Sequence, residues 1–420
     1  MSIHNNGTEL TIGLFGFGVV GASLYQVLAH TPSLNARIKK VCIKHADKER
    51  AAPAALFTTD ADALLNDADI NVIVELTSDS DVAHHIISTA LRKGKAVVTA
   101  GKSVIAKHLP EFIALQQQYG TPLLYEAACC ASIPVIRNLE EYYDNDLLHS
   151  VSGIVNGSTN YILTRMAEAK LSFGDALAEA QQAGFAEADP SLDILGVDAA
   201  NKLTILLTHA YGALTATSQL VYTGITDLHE ADSLYAREKG YEIKLVAHAG
   251  KLPDGRIAAF VLPQFVGEGS RLKGVKNEYN GVEIESSLAD RQFFYGKGAG
   301  GFPTASAVLS DLSALRYNYR YEYKKLQRGE PTALTHDLYF HVCISFRSLL
   351  HVRHEQFARI DEWVSKDQRC HISGIIHCSK LVSSDWWKQN GTSLILYPQA
   401  IQHGFVETAK KAEINELSLV

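Results

Sequence analysis

Leu10-Thr11-Ile12-Gly13-Leu14-Phe15-Gly16-Phe17-Gly18-Val19-Val20-Gly21 is the stretch that decides the fold. An apolar run of strand length enters a G-x-G-x-x-G turn, and Ala22 to Ala29 follows with helical character. Strand, glycine turn and helix in that order make a dinucleotide-binding unit. Gly16 makes the turn, Gly18 lets backbone approach a pyrophosphate, and Gly21 lets helix and strand pack closely. Phe17 and Val19 lie in the same turn. The helix N-terminus supplies N–H groups for phosphates. The glycine motif alone is a weak signal; its place directly after an N-terminal strand gives it weight.

Working outward, Arg37 to His45 reads as the second strand. A cofactor with a free ribose 2′-hydroxyl usually meets an acid near that strand end. Here Cys42-Ile43-Lys44-His45 ends it, with Lys48 and Arg50 following. Positive charge at Lys44 suits a 2′-phosphate, so NADP(H) is expected over NAD(H), with dual use open. Asp69 to Leu76 reads as a buried parallel strand with Thr77 and Ser78 at its C-terminal end, where ligands bind in open α/β sheets. Val82 to Arg92 reads as a helix and Lys95 to Thr99 as a strand. Ala100-Gly101-Lys102-Ser103 then puts Lys102 in a loop at the cofactor edge. Glu111 to Tyr119 is a helix and Pro122 to Glu126 a strand. This alternation predicts a Rossmann-type, doubly wound parallel sheet over residues 1–135.

The pattern then changes. Ile133 to Tyr143 reads as helical, and Val151 to Thr159 as a strand entering a polar turn. Tyr161 to Lys170 and Ser172 to Ala183 follow as helices. Glu242 to Ala249, Arg256 to Leu262, Gly281 to Ser287 and Arg291 to Tyr295 are strand-like. Residues 136–299 are therefore expected to be an α+β substrate-binding and dimerisation domain. The glycine-rich loop Lys297 to Thr304, with Gly300, opens a helix Ala305 to Arg316. That is a second N-terminus suited to an anion, or a hinge; segment 300–320 is assigned back to the nucleotide domain. Tyr317 to Gly329 reads as a linker. Residues 330–420 hold all three tryptophans and suggest a separate small core. Its order reads strand Leu338 to Phe346, helix Glu355 to Ser365, strand His371 to His377, helix Ser383 to Lys388, strand Ser393 to Tyr397. His371 and His377 share a strand face, but no second ligand pair accompanies them, so no metal is expected there.

The chemistry is placed on Gly184 to Leu203, GFAEADPSLDILGVDAANKL. Its acids are Glu187, Asp189, Asp193 and Asp198, and Lys202 follows. Val197 to about Tyr211 has helical spacing and a narrow polar stripe. Asp198 and Lys202 are four apart and share one helix face, with Asn201 and His209 near it. An exposed pair of this kind contributes a few tenths of a kcal/mol. In apolar surroundings such a pair points to use.

A chain of 420 residues, 46% hydrophobic and 20% charged, is an ordinary globular protein of two or three domains. A net charge of -7 leaves no basic surplus for nucleic acid. Six cysteines without framework spacing fit a reducing, cytoplasmic setting. Met1 to Glu9 does not read as a signal peptide, and no apolar run reaches spanning length.

Across Thr11 to Leu315 the chain resembles the homoserine dehydrogenase family. The resemblance rests on the Gly16 to Gly21 turn, Val97-Val98-Thr99-Ala100-Gly101-Lys102 and Asn156 to Leu163. It rests also on Gly184 to Pro190, Asp198-Ala199-Ala200-Asn201-Lys202-Leu203 and Gly298 to Ala305. It implies reversible reduction of aspartate 4-semialdehyde to homoserine with NADPH or NADH, in threonine and methionine synthesis, by a homodimer or higher oligomer. It implies Lys202 as proton donor and Lys102 beside cofactor and substrate. Glu187, Asp193 and Asp198 would hold the amino acid or position the lysine, and Ser158 would line the site. It also implies a monovalent cation, Na⁺ or K⁺, on main-chain oxygens of Glu126, Cys129, Ala131 and Ile133. Two departures stand out: Gly101 where the family usually has Asn, and Ala127 to Ser132 where glycine-rich sequence is common. The tail alternates strand and helix like an ACT-type regulatory domain, without a sequence signature for one. Two rival readings are a phosphorylating semialdehyde dehydrogenase with Cys129 or Cys130 as nucleophile, and a non-catalytic nucleotide sensor. No base accompanies the cysteines, and intact Glu187, Asp198 and Lys202 oppose the sensor.

Overall fold

The structure is a computed structural model that describes residues 9–402 except 146, 329–331, 348–350, 352, 367–368 and 390. The readings of the first eight residues and of the end of the tail, 403–420, lie outside the described residues.

The first sheet contains β1 (Leu10–Phe15), β2 (Ala36–Cys42), β3 (Phe57–Thr58), β4 (Val72–Glu75), β5 (Ala96–Thr99) and β6 (Leu123–Leu124). Their order is β3-β2-β1-β4-β5-β6, with every neighbour parallel. This is the Rossmann order, and its crevice opens where the order reverses, between β1 and β4. Both strands are buried throughout, as a parallel sheet covered on two faces requires. The helix Gly301–Leu315 returns from far along the chain to pack on Val19–Ala29. Their approach is close at Gly301, where a Cβ would lie 2.3 Å from Ser23 Oγ and 3.2 Å from the Val19 carbonyl oxygen.

One helix differs from its reading. It runs from Lys102 to Tyr119 straight through Pro110, rather than starting at Glu111. Proline removes one backbone hydrogen bond, yet Val104, Ile105, Leu109, Phe112 and Ile113 are all buried on this helix. Packing outweighs the breaker, so Lys102 opens a helix instead of sitting in a loop.

The second sheet takes β7 (Leu148–Ile154), β8 (Val221–Tyr222), β9 (Glu242–Lys251), β10 (Ile257–Val266), β11 (Tyr279–Ser286) and β12 (Asp290–Lys297). The tail adds β13 (Tyr339–Phe346), β14 (Phe357–Lys366), β15 (Arg369–His377) and β16 (Thr392–Gln402). The order is β12-β11-β7-β9-β10-β16-β13-β15-β14, with β8 beside β10. The helices Gly157–Glu168, Val197–Tyr211 and Glu230–Glu238 pack against β9.

The tail's organisation departs from the sequence reading in three ways. Ser383 to Lys388 is not one helix: a short helix lies earlier, at Ser379–Val382, and a 3-10 turn at Trp386–Lys388. Glu355 to Ser365 is not a helix but mostly strand β14. Register shifts at Phe357/Arg359 and Ile360/Glu362 space its apolar residues Phe357, Ile360 and Trp363 in threes, which imitates helical periodicity. The tryptophan core is also shared: Trp386 and Trp387 join one cluster with Phe260 and Leu262 of β10. Strand β16 touches β10 in parallel at Gln264 and Leu396. Within the tail, β13 lies between β16 and β15, and all tail neighbours are antiparallel, a split βαβ arrangement.

The expected linker Tyr317 to Gly329 is anchored to the core at two points, while most of its other described residues are exposed. Tyr321 and Tyr323 are buried, and both rings pack against His209. Alternate tyrosines turn one face inward.

Candidate active site

The glycine turn forms the floor of the crevice. Gly16 has φ 91°, and a Cβ there would lie 2.5 Å from the Leu76 carbonyl oxygen. A Cβ on Gly21 would lie 2.4 Å from the Gly16 oxygen. At Gly18 nothing lies within 4 Å, the open space a phosphate needs. Val19 is 74% exposed although apolar, and it flanks Gly301, next to Gly300 with φ 113°. Gly16, Gly18, Val19, Gly21 and Gly300 thus meet at one end of the crevice. Phe17 instead packs edge-on against Phe57 and Tyr25. Lys44 is exposed past β2. The Arg50 guanidinium sits 5.4 Å over Phe57 and donates to the carbonyls of His45 and Lys48 at 2.6 Å, which fixes the basic loop.

Glu75 ties the strand ends together and was not singled out from the sequence. Its buried carboxylate accepts from Thr77 N and Oγ1 at 2.6 Å and from Thr99 Oγ1 at 2.6 Å. Burial pushes its pKa up, against those hydrogen bonds. The available signal is an acid closing the apolar run that ends at Glu75. Ser78, next to Thr77, is exposed.

Lys102, Asp198 and Lys202 converge where the two domains meet. Lys102 Nζ lies 2.9 Å from Asp198 Oδ1, and Lys202 Nζ lies 2.8 Å from Asp198 Oδ2. Lys202 Nζ also donates to the Val155 carbonyl at 2.6 Å. Asp198 and Lys202 are buried, whereas the Lys102 side chain is 42% exposed. Burial acts against charge on both members of the buried pair. Even so, Lys202 and then Lys102 hold Asp198 well below the usual carboxylate range. Asp198 in turn holds Lys202 above the usual lysine value despite its burial. The site therefore carries two ammonium groups on one carboxylate.

Asn156 ties Asp193 to Asp198 and was also missed. It caps the helix Gly157–Glu168 through Oδ1, and its Nδ2 donates to Asp193 Oδ1 at 2.7 Å and Asp198 Oδ2 at 2.8 Å. Ser158 Oγ donates to Asp193 Oδ2 at 3.0 Å and to the Phe185 carbonyl at 2.7 Å. The turn Asn156-Gly157-Ser158-Thr159 carried the capping signal. Glu187 is not drawn into this network: its side chain is exposed, and its main-chain oxygen accepts from Gln181.

Glu126, Cys129, Ala131 and Ile133 share one buried loop, with Cys130 at φ 57° and Ala131 at φ 39°. The Glu126 carboxylate is taken by the N–H groups of Ile136 and Arg137, both at 2.8 Å. Of the main-chain oxygens expected to hold a cation, Glu126 O accepts from Cys129 N at 3.3 Å and Ile133 O from Val135 N at 2.8 Å. Cys129 and Cys130 are fully buried, and burial raises both thiols, Cys130 to about 11. A thiol so held is a poor nucleophile, against the cysteine-enzyme reading.

Residues 16–126 match the family described as homoserine dehydrogenase, NAD binding domain, and residues 134–313 match homoserine dehydrogenase. Over 312 residues, 72% of each chain, the chain is 38% identical to the homoserine dehydrogenase of Synechocystis sp.. Against the Bacillus subtilis enzyme it is 34% identical over 321 residues, 74% of each chain. The structure of a homoserine dehydrogenase from Thiobacillus denitrificans superposes with TM-score 0.80 at 28% identity, covering 93% of this chain and 98% of that one. A hyperthermophilic archaeal homoserine dehydrogenase in complex with NADPH superposes with TM-score 0.64 at 26% identity, covering 75% of this chain and 99% of that one. The chain therefore belongs to the homoserine dehydrogenase family, oxidoreductases that act on a CH–OH group with NAD(P).

Proposed function

We propose that aspartate 4-semialdehyde and homoserine are interconverted over the Lys102–Asp198–Lys202 bridge. The observation that carries this reading is one buried carboxylate holding two ammonium groups from opposite sides of the interdomain cleft. A bound nicotinamide supplies or takes the hydride. A carbonyl that accepts hydride becomes an alkoxide, and an ammonium within hydrogen-bond reach stabilises and protonates it. Lys202 is the donor: two of its three N–H bonds are used by Asp198 and Val155, which leaves one for substrate. Asp198 positions it. Lys102 stands between cofactor and substrate. Asp193 and Ser158 line the amino-acid pocket, with Glu187 brought to the substrate ammonium on binding.

NADP(H) is the preferred cofactor on the strength of Lys44 and the ordered basic loop; a relative with NADPH bound supports the same reading. A Na⁺ or K⁺ ion on the Glu126–Ile133 loop would brace the segment that carries Cys129 against Lys202. The tail is a regulatory unit of ACT type, supported by its strand order. The working form is a cytoplasmic homodimer or higher oligomer; no helix among the described residues is long and apolar enough to cross a membrane. The test is NADPH oxidation on addition of aspartate 4-semialdehyde. Turnover lost in Lys202→Ala with NADPH binding kept supports the assignment, and turnover kept in that variant ends it.

A further inference from the structure

Between the Ser80–Arg92 and Lys102–Tyr119 helices, three polar side chains outside the proposed reaction centre face one another. His84 Nε2 lies 2.8 Å from Glu111 Oε2, and His108 Nδ1 lies 3.9 Å from the same oxygen. One donor atom from each residue falls within 4.8 Å of the other two. The two imidazole rings stand 4.1 Å apart, over the fully buried Phe112. Arg92 takes the other carboxylate oxygen of Glu111, at 3.6 Å, which leaves Oε2 facing the rings. His108 Nε2 is buried and has no hydrogen-bond partner among the described residues.

The His84–Glu111 pair engages one imidazole at hydrogen-bond distance, and the second stands farther off the same oxygen, at 3.9 Å. Charging both rings would set two like charges side by side. Neutral imidazole is the form that ligates metal. Two imidazole nitrogens with one carboxylate oxygen suit a late first-row ion. Magnesium and calcium prefer oxygen-only shells.

We propose that His84, His108 and Glu111 bind one divalent transition ion of the zinc type, with water in the remaining position. The side chains are 28%, 21% and 41% exposed, so small rotations can close the set to ligand distances of about 2.0–2.2 Å. The ion would clamp the two helices together. The second of them begins at Lys102, so the clamp braces the reaction centre from outside.

The test uses the full chain, stripped with a chelator and titrated with Zn²⁺ by calorimetry, with thermal unfolding followed with and without Zn²⁺. One ion per chain and a raised melting temperature are expected. A Co²⁺ titration should show the visible bands of a four-coordinate nitrogen and oxygen site. His84→Ala, His108→Ala and Glu111→Gln should each weaken Zn²⁺ binding by about tenfold or more and abolish the thermal shift. Glu111→Gln preserves shape on a half-exposed side chain, so it remains informative if a histidine variant folds poorly. Metal-free Glu111→Gln should turn over like the metal-free parent. Zn²⁺ affinity unchanged in all three variants, or no saturable binding by the parent, overturns the proposal.

Discussion

Lys102 Nζ and Asp198 Oδ1 lie 2.9 Å apart, between the Lys102–Tyr119 helix and the Val197–Tyr211 helix. A single carboxylate therefore sets both ammonium groups, one on each side. Asp198→Asn should lower kcat by about 10²-fold or more and leave NADPH affinity less affected. Asp198 is what offsets burial at Lys202, so the alkaline limb of the pH–rate profile should move to lower pH in the variant. The stability sign follows from the depressed carboxylate. Its contribution is present above the ordinary carboxylate range and is lost as pH falls through the folded-state value. Wild type and variant should therefore differ in stability at neutral pH and converge in acid. A gap that stays constant down the pH scale would contradict this.

Lys202→Ala should reduce kcat by about 10²–10⁴-fold with NADPH binding near normal. Asp198→Ala acts through the same step, so the double variant should be little worse than Lys202→Ala alone. Lys102→Ala should also weaken cofactor binding, because that lysine opens a helix at the nucleotide edge. If Lys102→Ala alone abolishes chemistry with NADPH affinity unchanged, Lys102 is the donor and Lys202 a positioning residue.

Lys44→Asp should weaken NADPH binding and leave NADH binding alone or improved. The lysine is exposed, so the effect should shrink with added salt. Equal losses for both cofactors would remove the 2′-phosphate argument.

His209 joins Glu140 Oε2 at 2.8 Å to the Tyr125 hydroxyl at 2.8 Å inside the core, on the same helix as Lys202. His209→Ala should cost about 3 kcal/mol in denaturant unfolding, from the cavity and the stranded polar partners together. A cost within a few tenths of a kcal/mol would mean that water replaces the ring without loss.

Truncation near Gly329 keeps Tyr319, Tyr321 and Tyr323 with the body they pack into. Turnover should survive. The cut uncovers Phe260 and Leu262, so the melting temperature and solubility should fall. A soluble, folded but inactive product would place the tail within the catalytic body.

Local order along the chain determined a good deal by itself. The strand, glycine turn and helix at Leu10 to Ala29 needed only backbone sterics and an apolar run, and they folded as read. The Asp198–Lys202 pair was legible because a helix places residues four apart on one face. Sequence resemblance named the remaining candidate site residues. What it could not show was which distant groups share a partner. That Lys102 reaches Asp198, that Asn156 bridges Asp193 and Asp198, and that His84 meets Glu111 are consequences of helices packed from separate segments. Pro110 inside a helix and the bulged strand β14 were misread for the same reason. Local preferences there amount to a few kcal/mol at most, and burial against neighbours that lie far off in the chain outweighs them.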